Sequence, residues 1–181
     1  MTTPSPLPAQ SEEESSICLK CGLCCDGTLF DFATLQEPEV HLFPPNQRLD
    51  NPASDESALA FALPCQHFRS QTCTVYPDRP DACRVFACRV LADFRNGTKT
   101  KAHCLAIIDD ALGTRNRIDA LLEVGGLAPS ARRSVVAQML KDARAGGTLP
   151  ATGAVEAVAF ERFLDRHFRH PGQGRIARDE D

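Results

Sequence analysis

Cys18-Leu19-Lys20-Cys21-Gly22-Leu23-Cys24-Cys25 places four thiols within eight consecutive positions. Two thiolates separated by two residues can turn inward on a tight bend and chelate one ion. The spacing therefore recurs in zinc and iron–sulfur sites. Cys18, Cys21 and Cys24 also match the first three ligands of a bacterial 4Fe–4S run, in which the fourth ligand can be remote. A cysteine used as a small hydrophobe has no reason to recur at every third position. The stretch predicts a small, loop-rich module stapled by metal.

Further along the chain stand Cys65, Cys73, Cys83 and Cys88. They bring the thiols between Cys18 and Cys88 to eight, twice the donor set of a tetrahedral ion. Neighbouring side chains diverge in a helix and alternate in a strand, so Cys24 and Cys25 are poorly placed to serve one ion. Two readings follow. Eight thiolates make two four-thiolate sites, with Cys24 and Cys25 split between them. Alternatively, Cys18, Cys21 and Cys24 hold one cluster with a remote cysteine, and the others hold a second ion or remain thiols.

Composition narrows the function classes. The chain has 181 residues, 20 Lys+Arg against 24 Asp+Glu, and a net charge of -4. The basic footprint of a nucleic-acid binder is missing. No apolar run reaches the ~18 residues of a spanning helix, so no membrane is expected. The first sixteen residues show neither a basic region nor an apolar one, unlike a secretory signal. The expected location is therefore the cytoplasm, where thiols stay reduced and serve metal or chemistry. There is no G-x-G-x-x-G, Walker A, H-E-x-x-H or G-x-S-x-G string.

The chain divides by composition. Ten of the thirteen Pro lie within residues 1–80, and all nine Cys lie between Cys18 and Cys104. We expect a disordered tail at 1–16, a cysteine-cluster module at 17–104, a helical extension at 105–170 and a polar tail at 171–181. The fold class is mainly α with one or two short strands. Candidate strands, from which those one or two are drawn, are Thr28–Phe32, Ala58–Leu63 and Thr74–Tyr76, with a short helix at Glu37–Phe43 and a polar loop at 46–57. A helix with Pro80 in its first turn should run to about Phe94. Apolar stripes predict helices over 103–124, broken near Gly113, then Ser130–Ala145 and Thr152–Phe168.

One longer string combines these features. Cys18-x2-Cys21-Gly22-x-Cys24-Cys25 is followed by Pro64-Cys65-x2-Phe68. Then comes Cys73-x-Val75-Tyr76-x2-Arg79-Pro80-x2-Cys83-Arg84-x-Phe86-x-Cys88. It resembles the YkgJ-type cysteine-cluster family, also called the CxxCxxCC family, a zinc- or iron-chelating domain. The resemblance implies that Cys18, Cys21, Cys24, Cys25, Cys65, Cys73, Cys83 and Cys88 are all metal ligands, with Zn(II) or an iron–sulfur cluster as cofactor. It also brings in the flagellin lysine methylases, which share the cysteine cluster. An iron–sulfur-dependent protein-modifying enzyme is thus the first alternative, and a metal-stabilised interaction module the second. The residues decide neither whether the chain is an enzyme nor which protein is its partner or substrate.

The remaining candidates have structural readings. Cys104 sits beside Leu105 in an apolar helix and reads as a core thiol. His103 is its neighbour and diverges from it. His41 and His67 suit surface or capping use, and Asp26 suits a turn with Gly27. Four thiolates on one Zn2+ leave a charge of -2, which Arg79, Arg84 and Arg89 are placed to offset. Tyr76, the only tyrosine, is expected to hydrogen-bond near the cysteines.

Overall fold

A computed structural model describes residues 11–50, 59–124, 126, 135–138, 141–142, 145 and 154–171. The first element, helix α1 (Glu12–Cys21), starts at Ser11. Glu14 N donates to Ser11 Oγ at 3.2 Å and Ser11 N to Glu14 Oε2 at 2.9 Å. This reciprocal cap is worth about 1 kcal/mol. The sequence had suggested disorder through residue 16, because polar composition hides a cap. Residues 1–10 of that expected tail lie outside the described residues. The helix ends at Gly22, whose φ of 65° lets its N–H return to Cys18 O.

Three short strands, β1 (Phe32–Leu35), β2 (Arg48–Asp50) and β3 (Leu59–Ala62), form an antiparallel sheet in the order β1-β3-β2. Phe32 pairs with Ala62, and Arg48 with Phe61. The expected strand at Thr28–Phe32 is displaced to Phe32–Leu35. Thr28 N is held by Asp26 Oδ1 at 2.8 Å and Leu29 N by Leu23 O at 3.0 Å, so both belong to the cysteine loop. The helix expected at Glu37–Phe43 is a 3-10 helix over Glu37–Leu42. Residues 48–50 of the expected loop pair with β3 instead, and 51–58 lie outside the described residues.

A hairpin of β4 (Phe68–Arg69) and β5 (Thr72–Cys73) replaces the strand expected at Thr74–Tyr76. Ser70 and Gln71 both take positive φ, 50° and 61°, which makes the two-residue connection. The single helix expected up to Phe94 is two helices, α2 (Asp81–Val85) and α3 (Arg89–Arg95). Between them the chain is extended and bonds elsewhere. Arg89 N donates to Phe168 O at 3.0 Å, and His170 Nε2 lies 2.6 Å from Ala87 O. These tertiary bonds take the place of the helical ladder.

Helix α4 (Lys101–Val124) runs through Gly113 without the expected break and across the 104/105 junction. Glycine there costs about 1 kcal/mol. Burying Ile107, Ile108, Ala111, Ile118 and Leu122 along one face outweighs it. Residues 135–138 and 141–142 are helical, and the rest of the stripe at 130–145 lies outside the described residues. Helix α5 (Ala154–His167) matches the stripe read over 152–168. The fold is mainly α with a few short strands.

Two apolar clusters result. The larger joins α1, α3, α4 and α5 around Ile17, Leu23, Leu91, Ile108, Leu164 and Phe168. The smaller, beneath the sheet, is Leu35, Phe43 and Phe61, with the two rings stacked at 4.1 Å. Cys18, Cys24 and Cys88 pack against the larger cluster, and Cys65 and Cys83 against the smaller.

Candidate metal centre

Cys18, Cys21, Cys24, Cys25, Cys65, Cys73, Cys83 and Cys88 all line one cavity of about 460 Å³. Cys104 is absent from its wall. It is fully buried in the helical core, and its Sγ lies 3.6 Å from Val90 O. All nine cysteines are free thiols. Among the described residues, no three His, Cys, Asp or Glu side chains are already gathered as a preformed ion site.

Local backbone explains how each thiol reaches the cavity. Cys18 and Cys21 are one turn apart on α1, so they share a face. Gly22 then turns the chain so that Leu23 and Cys24 follow in a tight loop. A Cβ at Gly22 would lie 2.3 Å from Phe68 Cζ, so only glycine lets the hairpin approach this closely. Cys65 N donates to Cys25 O at 2.8 Å, which sews the second cysteine group to the first loop. Cys88 projects from the extended break between α2 and α3.

The thiols are proton-holding groups in a mostly apolar enclosure. Burial pushes Cys18 up to about 11; Cys88 adds to this, and Arg79 and Arg95 oppose it. Burial also raises Cys21 and Cys24 well above the usual thiol range, with Cys88 again the next contributor. Cys25 is raised by burial and then by Cys83, Cys73 and Cys65. Cys83 is pushed up to about 12 by burial, Cys65 and Cys73, against Arg79. Deprotonation here needs a positive partner. A metal ion supplies one, and the donor chemistry, eight sulfurs in one enclosure, suits zinc or iron.

Arg79 is the cation that opposes the negative charge of both Cys18 and Cys83. It is 9% exposed, lines the cavity, stacks over the Tyr76 ring at 3.9 Å and donates to Tyr76 O. Tyr76 also lines the cavity and hydrogen-bonds Ser15 of α1. Arg84 instead braces the loop, donating to Arg79 O at 3.0 Å. For Arg89 the backbone is the visible link, through Phe168. The histidines turn elsewhere: His41 Nδ1 contacts Pro38 O and His67 Nε2 contacts Leu42 O, each at 2.8 Å.

Three contributors were not read from the sequence. Ile108 and Phe168, from α4 and the end of α5, complete the cavity wall. Arg115 pairs with Asp26 and is 7% exposed at its side chain. Its place on the apolar stripe of α4, between Ala111 and Ile118, was a readable signal of a buried charge. Nothing in local spacing announces Phe168.

Residues 17–105 match the sequence pattern of the family described as "CxxCxxCC: Putative zinc- or iron-chelating domain". No curated protein and no solved structure gave a match. Among the described residues, no helix is long and apolar enough to cross a membrane. The cysteine spacing and the thiol-lined cavity agree with that pattern, and residues 17–105 are similar to the CxxCxxCC domain.

Proposed function

We propose that the protein chelates zinc or iron through the eight thiolates of Cys18, Cys21, Cys24, Cys25, Cys65, Cys73, Cys83 and Cys88. One observation carries this reading: these eight thiols line a single cavity, while the ninth, Cys104, is packed in the core. Arg79 offsets part of the charge that bound thiolates would bring. The lining side chains are largely apolar, which strengthens that interaction.

The Cys18-x2-Cys21-x2-Cys24 run gives iron–sulfur a slight edge over zinc. Metal and acid-labile sulfide analysis of protein purified without oxygen tests the proposal. An iron–sulfur cluster gives a brown protein with stoichiometric sulfide. A colourless protein containing zinc rejects the edge and retains chelation. A protein that takes up neither metal, even after reconstitution, overturns chelation itself.

A further inference from the structure

Resting on that reading, we propose that the thiols form two separate four-thiolate centres, divided at the Cys24–Cys25 peptide bond. Cys18, Cys21, Cys24 and Cys88 make the first. Cys25, Cys65, Cys73 and Cys83 make the second.

Packing makes the division. Cys21 is part of the helical core, and Cys18, Cys24 and Cys88 pack against it. Cys65 and Cys83 pack against the sheet core of Leu35, Phe43 and Phe61. The two remaining thiols are assigned by backbone bonds. Cys25 O accepts from Cys65 N at 2.8 Å, which binds Cys25 to the sheet side. Cys73 pairs with Phe68 across the hairpin, and Phe68 N donates to Cys65 O at 3.0 Å. The hairpin therefore returns Cys73 to the neighbourhood of Cys65.

Chain geometry demands a split at this point. Side chains of consecutive residues diverge, so Cys24 and Cys25 serve different neighbours more readily than one. Each group then holds four sulfurs, the complete donor set of a closed zinc site or of one iron–sulfur cluster. Arg79 lines the cavity and is close to fully buried, so one guanidinium can offset charge from both groups.

Zinc(II) loading followed by thiol alkylation tests the division on the unaltered full chain. The metal-free, reduced protein receives one equivalent of zinc, is alkylated under native conditions, and is sequenced by tandem mass spectrometry. Chains with four protected thiols should show either the first group or the second. Two equivalents should protect all eight. Mixed sets, such as Cys18 and Cys21 with Cys65 and Cys83, would overturn the division while leaving chelation intact. If zinc protects no thiol, the division into two zinc-holding centres fails, and the chelation reading then rests on iron alone.

A variant series supplies a second readout by counting zinc per folded chain, with circular dichroism confirming the fold. The pair Cys21→Ser/Cys88→Ser should retain about one zinc, and so should Cys65→Ser/Cys83→Ser. The pair Cys21→Ser/Cys83→Ser should retain none tightly. Loss of both ions from a within-group pair contradicts two independent centres.

Discussion

Arg115 Nη1 donates to Asp26 Oδ2 at 2.5 Å, tying the turn after Cys25 to the middle of α4. Both side chains are nearly buried, at 7% and 12% exposure. Asp26 Oδ1 simultaneously accepts from Thr28 N. One carboxylate thus shapes the cysteine loop and anchors it to the helical core.

Removing one member of such a pair leaves a buried charge uncompensated. Arg115→Met should destabilise the zinc-loaded protein by about 3–5 kcal/mol in urea denaturation. Asp26→Asn should cost less, because the amide oxygen can still accept from Thr28 N. Equal stability of Arg115→Met and the parent would show that the pair is solvated in solution.

Gly22→Ala carries two penalties. The left-handed φ costs about 1–2 kcal/mol for any other residue, and the new Cβ collides with the Phe68 ring. We expect a lower melting temperature and weaker zinc retention in competition with a chelator. Adding Phe68→Leu should recover part of the loss, the steric part only. Full recovery would mean that the backbone angle is costless.

Cys104→Ala should keep the metal content of the parent. Its sulfur packs against the helical core and lies near Val90 O, so the loss is one of packing, about 1 kcal/mol. Elemental analysis checks this. A fall in metal equal to that of Cys88→Ala would make Cys104 part of the centre.

His167 provides a pH signature separate from the thiols. Burial lowers it below its ordinary 6.5, and Arg166, Lys99, Arg89 and His103 add to the effect. A base held neutral by the fold contributes stability above pH 6.5. That contribution is lost as pH falls through the lower folded value. Melting from pH 7.5 to 5.5 should therefore weaken the parent more than His167→Gln. Metal release on acidification affects both proteins and cancels in the comparison. An equal fall in the two would remove His167 as the cause.

The eight thiols stood out in the sequence because their order and spacing suit ligand chemistry, and the fold brings all eight to one cavity. Cys104 was legible as core from its apolar neighbours. α5 was readable within two residues because its stripe is local. Several misplaced elements were decided by distant partners. Strand β2 exists because Arg48–Asp50 meets β3, and nothing within 46–57 reveals that. The Ser70-Gln71 turn uses residues with no special freedom at positive φ. The break at Phe86–Cys88 depends on Phe168 and His170, about eighty positions away.

That last separation gives the cavity a history during synthesis. Phe168, which is fully buried and completes the wall, follows Cys88 by 80 positions. At about 5–20 residues per second, the ribosome leaves the thiols without this wall for about 4–16 s. The nascent chain thus offers its sulfurs before this part of the wall exists, from a side that Phe168 covers in the finished protein.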